Sequence, residues 1–143
     1  MALTLWTTPL IAQKSPKGID VQINPENPLQ LRIKLRSFAQ VQTTIYKSEL
    51  PWGLSDSIIL VAVTPSGEYL EQSVVAGDPS PEKITLHPNE SLSGDINLTR
   101  AFKTLEKTIH NTEINLFWAY RSPKELNLPH WSGGWILIPR QEP

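Results

Sequence analysis

Alternating apolar and polar residues are the main structural signal in this chain. In residues 29–36, leucine and isoleucine alternate with glutamine, lysine and arginine. A period of two places one set of side chains on a core and the other in water, which predicts a half-buried strand. The same pattern, or a β-branched composition, predicts further strands at 18–24, 41–46, 84–86, 92–98, 113–120 and 135–138.

Residues 58–63 differ because they form a continuous apolar run, Ile-Ile-Leu-Val-Ala-Val. Such a run predicts a strand buried on both faces. Pro65-Ser66-Gly67 then predicts a hairpin turn, with residues 68–75 as the returning strand. After Thr99, the spacing of Phe102, Leu105 and Ile109 predicts one short helix.

Short strands separated by proline and glycine, without regularly alternating helices, argue against a parallel sheet. We therefore predict an all-β fold, an immunoglobulin-like antiparallel β-sandwich with two sheets, about seven to nine strands and one short helix. Residues 18–143 form its single domain, and residues 1–17 are an N-terminal strand or tail.

Composition narrows the possible functions. The chain has 143 residues and a net charge of -1, which suits one domain and argues against a nucleic-acid partner. It has no cysteine, which excludes disulfides, zinc–thiolate centres and a cysteine nucleophile. No apolar run is long enough to span a bilayer, so no membrane association is expected. The first residues lack a basic stretch followed by an apolar one, so we predict a cytoplasmic protein, although a leader removed upstream stays open.

Several turn motifs occur in an order that resembles a known fold. Asn89 occupies a turn position where glycine is expected, and asparagine tolerates the left-handed backbone needed there. The motifs, in chain order, are Leu50-Pro51-Trp52-Gly53, Ser57-Ile58-Ile59-Leu60, Ser66-Gly67, Asp78-Pro79, Ile84-Thr85-Leu86, Pro88-Asn89-Glu90-Ser91-Leu92 and Asp95-Ile96-Asn97-Leu98. Together they resemble the immunoglobulin-like N-terminal domain found beside deuterolysin-type (peptidyl-Lys) zinc metallopeptidase domains. A similar turn occurs in small intracellular proteinase-inhibitor sandwiches.

The resemblance covers about two-thirds of the chain and implies the accessory fold without the peptidase, because the H-E-x-x-H metal motif is absent. Two His-x-x-Glu pairs occur, His87/Glu90 and His110/Glu113, but neither has the second histidine of a metal site. Nucleophile-elbow and phosphate-loop motifs are also absent. We therefore predict no enzyme activity, no cofactor and no metal.

Two loops carry the sharper functional signal. Each places a tryptophan between proline and glycine: Pro51-Trp52-Gly53 and Pro129-His130-Trp131-Ser132-Gly133. A large side chain on a stiff backbone loses little entropy on binding, as residues that dominate protein interfaces do. The alternative is that both rings fold back over the open ends of the sandwich. The candidate binding residues are Pro51, Trp52, His130, Trp131 and Trp135, whereas Trp118 belongs to the core.

These observations predict a non-catalytic protein-binding sandwich. Its role is that of an inhibitor, an immunity-type partner of an enzyme such as a protease or toxin, or an accessory domain. Binding would proceed by loop insertion or by strand addition, and a free edge strand also favours a homodimer. The alternative is a carbohydrate-binding module that uses Trp52, Trp131 and Trp135 as one stacking platform.

Overall fold

A computed structural model describes residues 18–53, 57–73 and 81–143. These residues form eight β-strands, two short α-helices and two single-turn 3-10 helices, so the predicted all-β class and strand number are confirmed. In chain order the elements are β1 (Ile19–Asn24), β2 (Asn27–Arg36), β3 (Thr43–Tyr46), β4 (Ile58–Val63), β5 (Lys83–Leu86), β6 (Ser91–Asn97), α1 (Leu98–Ala101), α2 (Leu105–Thr108), β7 (Ile114–Arg121) and β8 (Trp131–Ile138). The 3-10 turns are Lys47–Glu49 and Lys124–Leu126.

Two antiparallel three-stranded sheets form the sandwich, with strand orders β1-β2-β6 and β4-β7-β8. Alternate residues of each sheet point inward because of the period of two, and they merge into one apolar core. Leu31, Ile33 and Leu35 of β2 and Leu116 and Trp118 of β7 all belong to this core and are buried. Trp118 is 3% exposed, which confirms its predicted place in the core.

A corner between β2 and β3 adds a third, two-stranded sheet, β3-β5. The chain turns at Ser37, whose backbone N–H donates to the Glu90 carbonyl (3.0 Å) and whose carbonyl accepts from Asn89 N–H (3.1 Å). Asn89 has φ 64, so the turn has the left-handed residue that its sequence predicts. The ladder of β2 with β6 therefore continues around this corner as the ladder of β3 with β5.

Several predictions need correction. Two short α-helices are present instead of one, because the chain breaks its helical backbone at Phe102. The returning strand at 68–75 is reduced, in the part that the structure describes, to isolated bridges from Tyr69 to Val63 and from Gln72 to Phe102. The described strands form three hydrogen-bonded sheets instead of two.

Burial of β4 on both faces is also wrong. Its inward residues Leu60 and Ala62 are buried, but Ile59 on the other face is 44% exposed. Residues 1–17 lie outside the described residues. No helix in the described ranges is long and apolar enough to cross a bilayer.

Candidate functional site

The outer surface of the β1-β2-β6 sheet is polar. Arg32 forms an ion pair with Asp95 on the neighbouring strand (3.3 Å), and Lys34 is in register with Asp20 on β1. The third cation of β2, Arg36, lies 5.6 Å from the ring of Phe38. Arg32 and Lys34 therefore each have an acidic residue beside them on a neighbouring strand, as on an ordinary solvated face.

The outer surface of the β4-β7-β8 sheet is mostly apolar, and we call it the apolar face. Its apolar members lie at alternate positions of the three strands: Ile59, Val61 and Val63 on β4, Phe117 and Ala119 on β7, and Trp131, Gly133, Trp135 and Leu137 on β8. Asn115 and Arg121 occupy the two ends of the same alternating set on β7. Tyr69 extends it, because an antiparallel bridge to Val63 puts its side chain on the same side. Of the seven large hydrophobic side chains exposed in the described residues, five lie here: Ile59, Tyr69, Trp131, Trp135 and Leu137.

A shallow open trough crosses the apolar face, with a volume of about 390 Å³. Its floor is the row Ile59–Ala119–Gly133, which is in register across the three strands. Trp131 forms one wall of the trough and Phe117 forms the other. Trp135 lies next to Phe117, with their ring centroids 5.2 Å apart. Small residues between large aromatic ones therefore create the depression.

Gly133 is required on this floor by the local packing. A Cβ atom there would lie 2.8 Å from the backbone carbonyl oxygen of Trp118, a contact that β-carbons essentially never make. Glycine at position 133 therefore lets β8 approach β7 and also leaves the floor of the trough open.

Three of the predicted binding residues lie together. Trp131 and Trp135 are 47% and 53% exposed on the apolar face, and the exposed ring of His130 meets the Trp131 ring edge-on, with centroids 6.0 Å apart. Trp131 is the first residue of β8 instead of a loop residue. The edge of β8 opposite β7 pairs with no other strand among the described residues, which fits the predicted route of strand addition.

The other two predicted residues lie elsewhere. Pro51 is buried, and the partly buried Trp52 packs against the core, with its indole ring on Gly94 of β6. Gly94 is in register with the buried Ile33, so this contact is on the inner surface of the β1-β2-β6 sheet. Trp52 thus covers an edge of the core, as the alternative interpretation of the loops predicts, and does not join Trp131 and Trp135.

A buried hydroxyl holds the loop that carries Trp52. The Tyr120 hydroxyl donates a hydrogen bond to the Glu49 carbonyl oxygen (2.7 Å), and Ser57 Oγ donates to the Leu50 carbonyl oxygen (3.0 Å). Burial, followed by the nearby negative charge of Glu49, raises the pKa of the Tyr120 hydroxyl well above its usual range. Tyr120 is therefore a structural donor, which anchors this loop to β7.

Each of the two His-x-x-Glu pairs makes one side-chain contact with the backbone. The Glu90 carboxylate accepts a hydrogen bond from the His87 backbone N–H (2.7 Å) and so closes its own turn. His110 Nδ1 lies 3.2 Å from the Gln141 carbonyl oxygen. The described residues contain no cluster of three or more histidine, aspartate or glutamate side chains that could hold a metal ion.

Sequence reasoning missed Ile59, Tyr69, Phe117 and Leu137 as parts of the surface. The available signal was that both alternating sets of residues in β4 are apolar, and that Trp131, Trp135 and Leu137 recur at alternate positions of β8. In the comparisons with known proteins, no family model matches this chain, and no curated protein matches it either.

Proposed function

We propose that this protein is a non-catalytic binding module that holds another protein against its apolar face. The observation that carries the proposal is the contrast between the two sheets of one sandwich. One outer surface is polar and cross-paired, whereas the other collects five of the seven exposed large hydrophobic side chains. Exposed apolar patches of several hundred Å² on a soluble domain are typical of interaction sites.

The chemistry of the trough supports a protein partner more than a sugar. The lining of the trough is apolar and consists of Ile59, Phe117, Ala119, Trp131 and Gly133, apart from Ser132, whose side chain is buried. Sugar recognition needs polar side chains beside the stacking rings to bind the hydroxyl groups. Arg121 is in register with Trp131, but Trp135 is in register with the apolar Phe117, and Trp52 is not available to complete a three-ring platform. An apolar side chain of a protein partner needs no hydrogen-bond partner in the trough and is bound by burial alone. Tryptophan side chains are also frequent anchors of protein interfaces.

Within this function, the role proposed for the chain is that of an inhibitor, an immunity-type partner or an accessory domain acting on an enzyme. The resemblance to accessory sandwiches beside metallopeptidases supports such a role. An accessory module acts by holding its partner, which is what a rigid apolar face on a sheet can do.

Trp135→Ser should remove partner binding without unfolding the protein. The Trp135 ring lies on the outer surface, so we expect the melting temperature to fall by only a few degrees. Truncating an aromatic anchor at the centre of an interface costs about 2 kcal/mol or more, a loss of at least ~30-fold in affinity. The measurement is affinity capture from the native lysate on immobilised protein, followed by mass spectrometry and titration of the captured protein.

Val41→Ser is the matched control, because Val41 is 69% exposed but lies outside the apolar face. A protein held by the native chain and by Val41→Ser, but released by Trp135→Ser, would support the proposal. Capture that is unchanged in Trp135→Ser would contradict it. Retention on a polysaccharide, lost in Trp135→Ser, would instead favour the carbohydrate-binding alternative.

A further inference from the structure

We infer that the apolar face also binds a second copy of this chain, face to face, with Trp135 of each copy seated in the trough of the other. The dimer uses the same surface that the proposed function assigns to a partner protein, so this inference rests on the proposed function. It adds a state in which each copy covers the binding surface of the other. In this state, two copies would have to separate before either could hold a different protein.

Size complementarity within the face is the first argument. The row Val61–Phe117–Trp135 carries large side chains, and the adjacent row Ile59–Ala119–Gly133 ends in small ones. The twofold axis of the dimer lies midway between the two facing sheets. It is parallel to the sheets, perpendicular to the strands and level with Gly134. This axis places the row of large side chains of each copy over the row of small ones of the other. Trp135 then lies over Gly133 of the partner subunit, and Phe117 lies over Ala119 of the partner subunit.

The twofold symmetry of this arrangement limits the assembly to two copies. The same patch is used twice, so every insertion of an aromatic ring is repeated by the other copy and no further copies are added. At the ordinary spacing of packed sheets, about 10 Å, side chains from two facing sheets interdigitate. The trough volume of about 390 Å³ accommodates an indole ring.

Area and charge agree with a weak dimer. Three strands at about 4.8 Å spacing and about 26 Å in length give the face a footprint of roughly 350 Å². That is below the ~800 Å² per partner of a stable interface, which indicates a dimer that forms only at high concentration. The net charge of -1 provides almost no overall electrostatic repulsion between copies, and the stated axis places the Arg121 side chains of the two copies at opposite ends of the facing strands.

Sedimentation equilibrium of the full chain tests the inference, over concentrations from about 1 µM to about 1 mM. We expect a reversible monomer–dimer equilibrium for the native chain and for Val41→Ser. Trp135→Ser, which removes the inserted ring, should raise the dissociation constant at least tenfold.

Ala119→Leu is the deciding variant. The added side chain fills the trough, so the dissociation constant of the dimer should again rise at least tenfold. The same change makes the face more apolar, so association that depended only on exposed apolar surface would become stronger. A native chain that stays monomeric throughout, or a dimer that survives both Trp135→Ser and Ala119→Leu, would overturn the inference. Either result leaves the proposed function standing if Trp135→Ser still loses the captured partner. Circular dichroism spectra matching that of the native chain ensure that each variant is folded.

Discussion

Replacing Gly94 with alanine is expected to lower the free energy of unfolding by about 2–3 kcal/mol, although the change adds a single methyl group. The Cβ atom would overlap the indole of Trp52, with two ring carbons only 2.5 Å away. Trp52 is itself packed against the core, so it can move away only by giving up contacts there. Overpacking of this kind typically costs about 1–3 kcal/mol. Urea unfolding followed by circular dichroism measures the loss.

Trp52→Ala provides the control for this expectation. Removing the partly buried ring should itself cost about 2–3 kcal/mol, somewhat less than for a fully buried aromatic side chain. In the Trp52→Ala background, however, Gly94→Ala should cost less than ~0.5 kcal/mol, because the atoms it would overlap are gone. An equal cost of Gly94→Ala in both backgrounds would show that the ring does not lie on Gly94.

The same contact shows what sequence patterns can and cannot establish. The order Pro51-Trp52-Gly53 correctly predicts a loop, because proline and glycine fix the local backbone. The direction of the indole depends on a glycine in β6, a strand far along the chain. The local sequence is therefore the same whether the Trp52 ring is exposed for binding or covers the core, and only its contact with Gly94 decides between the two.

Strand positions were predictable for a similar reason. Period two, or a short apolar run, identifies β2 and β4 from local residues alone, and β4 has the predicted bounds Ile58–Val63. What an apolar residue faces is not a local property. The run in β4 was compatible with burial on both faces, and the structure shows one face on the core and the other exposed at Ile59. The apolar face follows only from the pairing of β4, β7 and β8, which places the outward residues of the three strands side by side.

Stability should fall steeply above about pH 10 because of Tyr120. The neutral hydroxyl is buried and donates to the Glu49 carbonyl oxygen, so its pKa in the folded protein is well above that of an unfolded tyrosine, near 10. Below pH 10 this hydroxyl is neutral in both states and its full contribution to stability is present. As the pH rises towards the folded pKa, only the unfolded state loses the proton, and the free energy of unfolding falls by about 1.4 kcal/mol per pH unit.

Tyr120→Phe separates this contribution from those of the other titrating groups. At pH 7 the variant should be less stable by about 1–2 kcal/mol, because the Glu49 carbonyl oxygen loses its buried donor. Between pH 10 and pH 11.5 its stability should decline less steeply than that of the native chain, so the two curves converge and then cross. Tyr46→Phe is the matched comparison for loss of a tyrosine hydroxyl, since Tyr46 is 45% exposed whereas Tyr120 is buried. Parallel curves for the native chain and Tyr120→Phe in urea titrations would show that the Tyr120 hydroxyl is not held in a buried hydrogen bond, and that the loop carrying Trp52 is anchored to β7 by other contacts.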